Sequence, residues 1–518
     1  MADLLTAGES IATQARIRPE KTGARDSTRA LTFREWNERA CRLANALLAT
    51  GLAKGDRVAL LAYNCIEWLE IYVALAKAGL VAVPVNFRLT ATEIRAIVDD
   101  CGAQGVIVQD DLVDRIDAIR NELPIPAHRF VHFGGGRTPA NYQAYEAIIG
   151  AAPAMEPPIE VRPDDIWALM YTSGTTGKSK GAVRTHEGSA MISLVTDYDM
   201  GFTDKDICLL VMPLCHANSL YLSFAFASCG ATCCVHDRKS FDPEEVLRAL
   251  STNRVTFTSL VPTQYIMMLG LSDAVKSRYD TGRIERLFIS SAPARRDTKL
   301  AIMQFFPNSK LYEMYGSTEA GWVTILRPDE QLTKLGSIGR EWSGCAPIRL
   351  LDESGIDVPD GEVGELFSRT PFTFREYWNN PAKTAEAFRG KYCSVGDMAY
   401  RDADGFYHLV DRKSNMIISG GENVYPTEVE ALLAAHPAIA ESAVIGVPHD
   451  KWGESVHAVI VLKFDATASE EEILAWCKER IAGYKRPRSV SFIGDDEMPR
   501  TATGKVQHRK LRERFGAG

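Results

Sequence analysis

Strand-length apolar runs alternate with helix-period stretches along most of this chain, and few architectures accommodate that order. Residues 56–64 read as a strand, 66–78 as an amphipathic helix and 80–85 as the next strand. Residues 166–171, 207–214, 255–261, 287–290 and 311–315 read as further strands, with helices predicted over 243–250 and 297–305. Such alternation predicts an α/β fold of stacked, mainly parallel sheets covered by helices. The character changes near Asp411. Beyond it 426–435 reads as a helix and 443–447 and 456–462 as strands. Ser469 then opens a helix capped by Ser469 and Glu472, with Ile473, Leu474, Cys477 and Ile481 on one face. The expected layout is a large N-terminal domain over 1–410, a polar joint at 411–415 and a small C-terminal α+β domain over 416–518. A chain of 518 residues is long enough for two or three such domains.

Composition narrows the function classes. Hydrophobic residues make up 46% and charged residues 24%, which excludes a disordered or fibrous chain. Lys and Arg number 59 against 67 Asp and Glu, a net charge of −8 that argues against nucleic acid as a partner. The most apolar stretch, 71–85, is broken by Lys77, Gly79 and Pro84, so no membrane span is expected. The first residues lack a basic head and apolar run, so no secretory signal is expected either. Eleven cysteines are scattered, and the densest group, Cys229, Cys233 and Cys234, lacks the donor spacing of a zinc site. They read as small buried apolar residues in a reducing compartment, which makes the cytoplasm the expected location.

The segment 171–181 carries the strongest chemical signal. Thr172, Ser173, Gly174, Thr175, Thr176, Gly177, Lys178, Ser179, Lys180 and Gly181 follow directly on an apolar strand. Glycines let backbone N–H groups approach a ligand, hydroxyls add hydrogen bonds, and lysines neutralise charge, a combination suited to a polyphosphate. A P-loop needs a glycine five residues before Gly177, where this chain has Thr172, so that alternative fails on spacing.

Ser173 to Gly181 resembles the signature loop Ser-Gly-Thr-Thr-Gly-x-Pro-Lys-Gly of the adenylate-forming enzymes, with Ser179 in place of the proline. That family includes acyl- and aryl-CoA synthetases, luciferases and peptide-synthetase adenylation domains. Its other motifs recur here in order. Pro213–His216 resembles the segment carrying a gate residue, His216, beside the acyl pocket. Ser291, Ala292 and Pro293 resemble the turn that cups adenine. Tyr315, Gly316, Ser317, Thr318 and Glu319 match Tyr-Gly-x-Thr-Glu, which implies Tyr315 on the adenine, Thr318 on the α-phosphate and Glu319 on Mg²⁺. Asp397, in Val395–Asp397, resembles the carboxylate that accepts both ribose hydroxyls, with Arg412 a second nucleotide contact. Lys505 resembles the catalytic lysine that bridges the substrate carboxylate and the α-phosphate.

The resemblance implies a two-step ligase using ATP, Mg²⁺ and coenzyme A. A carboxylic acid is activated as acyl-AMP with release of pyrophosphate, and the CoA thiol then displaces AMP after the C-terminal domain turns. It implies a β-barrel-like portion in the N-terminal domain, a mobile C-terminal domain, and is compatible with a homodimer. Gly420 and Gly421 resemble the loop past which the pantetheine arm runs, and Tyr484, Lys485, Arg486 and Arg488 form a basic cluster suited to the phosphates of CoA. The pivot, usually Asp or Lys, is Ser414. The acyl pocket maps to His216, Ala217, Ser290, Met314, Gly316, Gly321 and Trp322. Ala217 stands where amino-acid-activating members carry an aspartate, and Gly316 where acetate-specific members carry a tryptophan. The acid is expected to be aromatic or of medium length, with Trp322 either a pocket floor or a core residue. A carrier-protein-loading enzyme and a non-catalytic nucleotide-binding protein of this fold are the alternatives.

Overall fold

The structure is a computed structural model that describes residues 6–172, 179–291, 294–419, 422–478, 480–501 and 504–516. It divides into two compact units, Met1–Pro347 with Ser368–Cys393, and Ile348–Phe367 with Ser394–Gly518.

The first unit is built on two large sheets. One has nine strands, and its middle runs parallel through Lys310–Ser317, Arg286–Ser290, Phe257–Leu260, Ile207–Leu210 and Thr232–Val235. The other has seven strands, parallel from Gln143–Ala144 through Phe130–Phe133, Gly105–Gln109, Arg57–Leu61 and Val81–Val85 to Ile166–Thr172. Strands covered on both faces are mainly apolar, as Arg57–Leu61, Val81–Val85 and Ile166–Thr172 are, and the charge inside Lys310–Ser317, Glu313, is buried against Lys299 at 2.5 Å. In each sheet the parallel run gives way to an antiparallel pairing: Gly321–Leu326 on Lys310–Ser317, and Lys180–Thr185 on Ile166–Thr172.

The helix Glu67–Ala78, expected to be amphipathic, is buried on every side from Trp68 to Ala78. Its two charged residues on the buried faces are paired, Glu70 with Arg29 and Arg39, and Lys77 with Glu156. A buried charge is tolerable only with such partners. Of the cysteine group, Cys233 and Cys234 are buried in the strand Thr232–Val235, as small apolar residues would be. The strand expected over 207–214 stops at Leu210. Beyond it the carbonyls turn to side chains: Asn64 Nδ2 donates to Val211 and Met212, and the Tyr72 hydroxyl donates to Leu214.

The second unit holds two sheets. Arg349–Leu351, Gly364–Phe367, Asp397–Arg401 and Tyr407–Arg412 form an antiparallel four-stranded sheet. A barrel-like portion is expected in the N-terminal domain; this antiparallel sheet lies in the second unit, and among the described residues its two outer strands do not pair. The other sheet orders Glu422–Val424, Ile417–Ser419, Gly453–Leu462 and Ile439–His449, with Ser489–Phe492 parallel to Gly453–Leu462. The helix Glu470–Lys478 starts with the expected cap, Ser469 Oγ accepting from Glu472 N and the Glu472 carboxylate accepting from Ser469 N. It buries Ile473 and Cys477. The segment 411–415 lies inside this unit, where Arg512 donates to the carbonyls of Ser414 and Asn415 at 2.6 and 2.5 Å.

Candidate active site

In parallel α/β sheets ligands gather beyond the carboxyl ends of the strands. In the first unit that edge carries Ser290, Tyr315 and the turn 318–320, which leads straight into the strand Gly321–Leu326. The Tyr315–Glu319 motif therefore sits on a β-turn, with Ser317 Oγ accepting from Ala320 N at 2.9 Å.

Glu319 is buried, and its Oε1 accepts from the hydroxyls of Tyr377 at 2.8 Å and Thr172 at 3.2 Å. Its backbone carbonyl and that of Thr318 both accept from Arg184 Nη1, at 3.2 and 3.3 Å. Arg184 is itself 1% exposed, so its charge serves the interior of the protein. The turn that presents Thr318 and Glu319 is thus fixed from below by a guanidinium and from the side by two hydroxyls. Sequence reasoning missed Arg184 and Tyr377. Arg184 left one signal, a lone charge inside the otherwise uncharged stretch Gly181–Thr185.

Glu319 fits Mg²⁺. The ion takes oxygen ligands, keeps several waters and needs only one or two protein carboxylates besides substrate phosphates. A carboxylate with one oxygen held by hydroxyl donors leaves the other for a cation. Lys180 stands nearby, its ammonium 4.3 Å from the centre of the Tyr377 ring.

Ser173, Gly174, Thr175, Thr176, Gly177 and Lys178 lie outside the described residues. The strands around them do not. Thr172 pairs with Lys180 and Tyr171 with Gly181 in an antiparallel register. The loop therefore joins strand to strand, whereas a P-loop joins strand to helix, a second reason against that alternative. Ala292 and Pro293 are likewise outside the described residues. Ser291, just before them, has φ +68, a left-handed conformation costly for a residue other than glycine. The turn expected to cup adenine is thus preceded by a strained residue.

His216 occupies the residue before the helix Ala217–Ser228, its side chain making no capping bond, and sits at the end of the segment pinned by Asn64 and Tyr72. Burial pushes its imidazole pKa down to about 4, with Arg88 adding to the shift, so the ring is neutral near pH 7. Next to it Asn218 Nδ2 donates to Ser259 Oγ at 3.1 Å and Ser290 Oγ at 3.2 Å. Met314 is buried in register with Ser290.

Gly316 has a reason in the fold to be glycine. A Cβ there would stand 2.2 Å from the Gly321 carbonyl, where the two strands close in at a bulge. Glycine is required by that approach. Gly321 is likewise fixed by φ +70 and by Phe372, which a Cβ would meet at 2.5 Å. Trp322 is a core residue: it is 4% exposed, its N–H donates to Thr196 Oγ1 at 2.9 Å, and its rings pack on Tyr221 and Trp342.

The second unit gathers Asp397, Arg412 and Lys505. Asp397 pairs with Arg412 across the strands Asp397–Arg401 and Tyr407–Arg412, Nε to Oδ1 3.0 Å. Lys505 is exposed as a residue, but its ammonium end is desolvated. That desolvation lowers its pKa, Arg412 lowers it further, and Asp397 opposes them. Three residues distant in sequence thus share one electrostatic neighbourhood. Gly420 and Gly421 lie outside the described residues. In the basic cluster, Lys485 pairs with Glu428 at 2.7 Å and Arg486 donates to the Ile481 carbonyl at 3.0 Å, so both have structural partners. Arg488 lies 4.7 Å over the Trp452 ring, and Tyr484 is partly exposed.

The profile described as AMP-binding enzyme matches residues 11–378, and that of the AMP-binding enzyme C-terminal domain matches 428–505. The chain belongs to the AMP-binding enzyme family. A feruloyl-CoA synthase of an Amycolatopsis species is 37% identical, with 97% of this chain and 98% of the relative covered. The crystal structure of the anthranilate CoA ligase AuaEII with anthranoyl-AMP superposes with a TM-score of 0.88 at 30% identity, covering 99% of this chain and 98% of that one. An o-succinylbenzoate coenzyme A synthetase from Bacillus subtilis, in complex with ATP and magnesium ion, gives 0.85 at 28% identity over 97% and 99%. Like the AMP-binding enzymes to which it is similar, the chain carries both domains of the family.

Proposed function

We propose that this protein is an ATP-dependent acid–CoA ligase that activates an aromatic carboxylate as its acyl adenylate and passes the acyl group to the thiol of coenzyme A. The observation that carries the reading is Glu319. It is a buried carboxylate clamped by Tyr377 and Thr172, beside a Thr318 whose backbone is held by Arg184, at the ligand edge of a parallel sheet.

A carboxylate is a poor electrophile, and a carboxylate and a phosphate repel one another, so the first step needs the two anions brought together. In this reading the loop 173–178 and Lys180 hold the phosphates, Tyr315 and the turn at Ser291 hold adenine, and Asp397 accepts from the ribose hydroxyls. The Thr318 hydroxyl donates to the α-phosphate, and Lys505 lies between that phosphate and the acid. Glu319 would hold Mg²⁺, which would supply positive charge to offset that of the phosphate oxygens. The carboxylate oxygen attacks the α-phosphorus, the bond to the β-phosphate oxygen breaks, and pyrophosphate leaves. The thiolate of CoA then attacks the acyl carbon and AMP departs. Segment 411–415, with Ser414, is the joint about which the C-terminal domain turns between the steps, and Gly420–Gly421 with Arg488 line the approach of CoA. Aromatic acids are favoured by the resemblance to ligases of such acids, and the absence of an aspartate at Ala217 speaks against an amino acid. A cytoplasmic site fits the eleven cysteines, all of them free thiols.

The reading is tested with a panel of aryl, arylalkenoic and medium-chain acids, following AMP, pyrophosphate and thioester together. Stoichiometric AMP and aryl-CoA are expected. Adenylate that accumulates with CoA present, and is discharged only onto a carrier protein, would contradict free CoA as the acceptor.

A further inference from the structure

Asn218 is the polar centre of the region beside His216, and nothing in the sequence singled it out. Its Nδ2 bonds Ser259 Oγ and Ser290 Oγ, which lie 3.3 Å from each other at the carboxyl ends of neighbouring parallel strands. Ser259 and Ser290 are 3% and 1% exposed, so the cluster is out of contact with bulk water. The other amide atom, Asn218 Oδ1, is buried and has no hydrogen-bond partner among the described residues, and the same holds for His216 Nε2. Buried polar atoms in native proteins are nearly always paired, so two unpaired ones, two residues apart at one helix start, need an explanation. Both lie at the strand ends where this fold takes its ligands, with Ser290 in register with Met314. The backbone that carries His216 is fixed by Asn64, Tyr72 and Ser219, so the pair is presented rigidly.

An apolar acyl group would leave both atoms unsatisfied. A hydroxyl would not, because it donates to an amide oxygen and accepts from an N–H, which satisfies the cluster in either orientation of the Asn218 amide. We propose that Asn218, with His216 beside it, is a specificity-determining residue that selects acids bearing a ring hydroxyl. The inference rests on the ligase reading above and narrows its substrate class.

The test compares kcat/KM for CoA-thioester formation among benzoic and cinnamic acids that carry, at the 2, 3 or 4 position, a hydroxyl, a methyl or a hydrogen. A site built to bond a hydroxyl rejects the analogue lacking it far more strongly than an apolar pocket rejects a methyl. At one ring position the wild-type enzyme is expected to prefer hydroxyl over methyl by at least ~30-fold. Asn218→Leu, close in volume, is expected to bring that ratio towards one by slowing the hydroxylated acid while keeping turnover of the methyl analogue. Ser259→Ala, which removes one of the two groups that orient the amide, is expected to give an intermediate ratio. The wild-type comparison stands even if a variant fails to fold. Turnover of all members within about threefold of each other, or an Asn218→Leu enzyme that keeps the wild-type ratio, would overturn the inference alone. Absence of AMP and pyrophosphate with every acid would overturn the ligase reading and this inference with it.

Discussion

Replacing Lys505 by alanine is expected to slow acyl-AMP formation by about 10²–10³-fold, or roughly 3–4 kcal/mol of transition-state stabilisation, the scale seen when one preorganised donor to a developing charge is removed. Transfer from preformed acyl-AMP to CoA is expected to keep most of its rate, because the lysine serves only the step that joins two anions. The lysine is exposed, and its backbone N–H donates to Thr501 Oγ1 at 3.1 Å, a bond that alanine keeps. The melting temperature should therefore barely move. Single-turnover measurement of the two half-reactions checks this. Equal losses in both would assign Lys505 a role in both steps and contradict the division of labour.

Glu319→Gln is the second large effect. The amide oxygen can still accept from Tyr377 and Thr172, so the fold and the turn are expected to survive while the charge that holds Mg²⁺ is lost. Adenylation at fixed Mg²⁺ is expected to fall by about 10²-fold or more, with a higher Mg²⁺ concentration needed for half-maximal rate. Titrating Mg²⁺ against initial rates of pyrophosphate release measures both. An unchanged Mg²⁺ dependence at reduced rate would mean that the carboxylate shapes the turn without serving the ion.

Much of this was legible in the sequence, for a physical reason. The parallel strands are buried on both faces, so 166–170 and 287–289 appear as uninterrupted apolar runs, and the helix cap at Ser469 is written in two side chains three residues apart in the chain. Motif residues whose chemistry resides in the side chain, such as Glu319 and Asp397, could be read directly. What stayed hidden acts through the backbone or across long separations. Arg184 works by donating to two carbonyls, and Asn64 by holding three backbone groups of the segment 211–214. Gly316 was legible as a glycine, but the reason for it, the carbonyl of Gly321, exists only once the hairpin forms. Residues 348–367 join the second unit through the pairing of Gly364–Phe367 with Asp397–Arg401, a contact that no local pattern announces.

The central claim is that the acid itself attacks the α-phosphorus of ATP. It is tested most directly with an acid labelled with ¹⁸O in both carboxylate oxygens. One labelled oxygen is expected in the AMP released for each thioester formed, with none in the inorganic product. Label found in orthophosphate alongside ADP would mean attack at the γ-phosphorus and would contradict the adenylate.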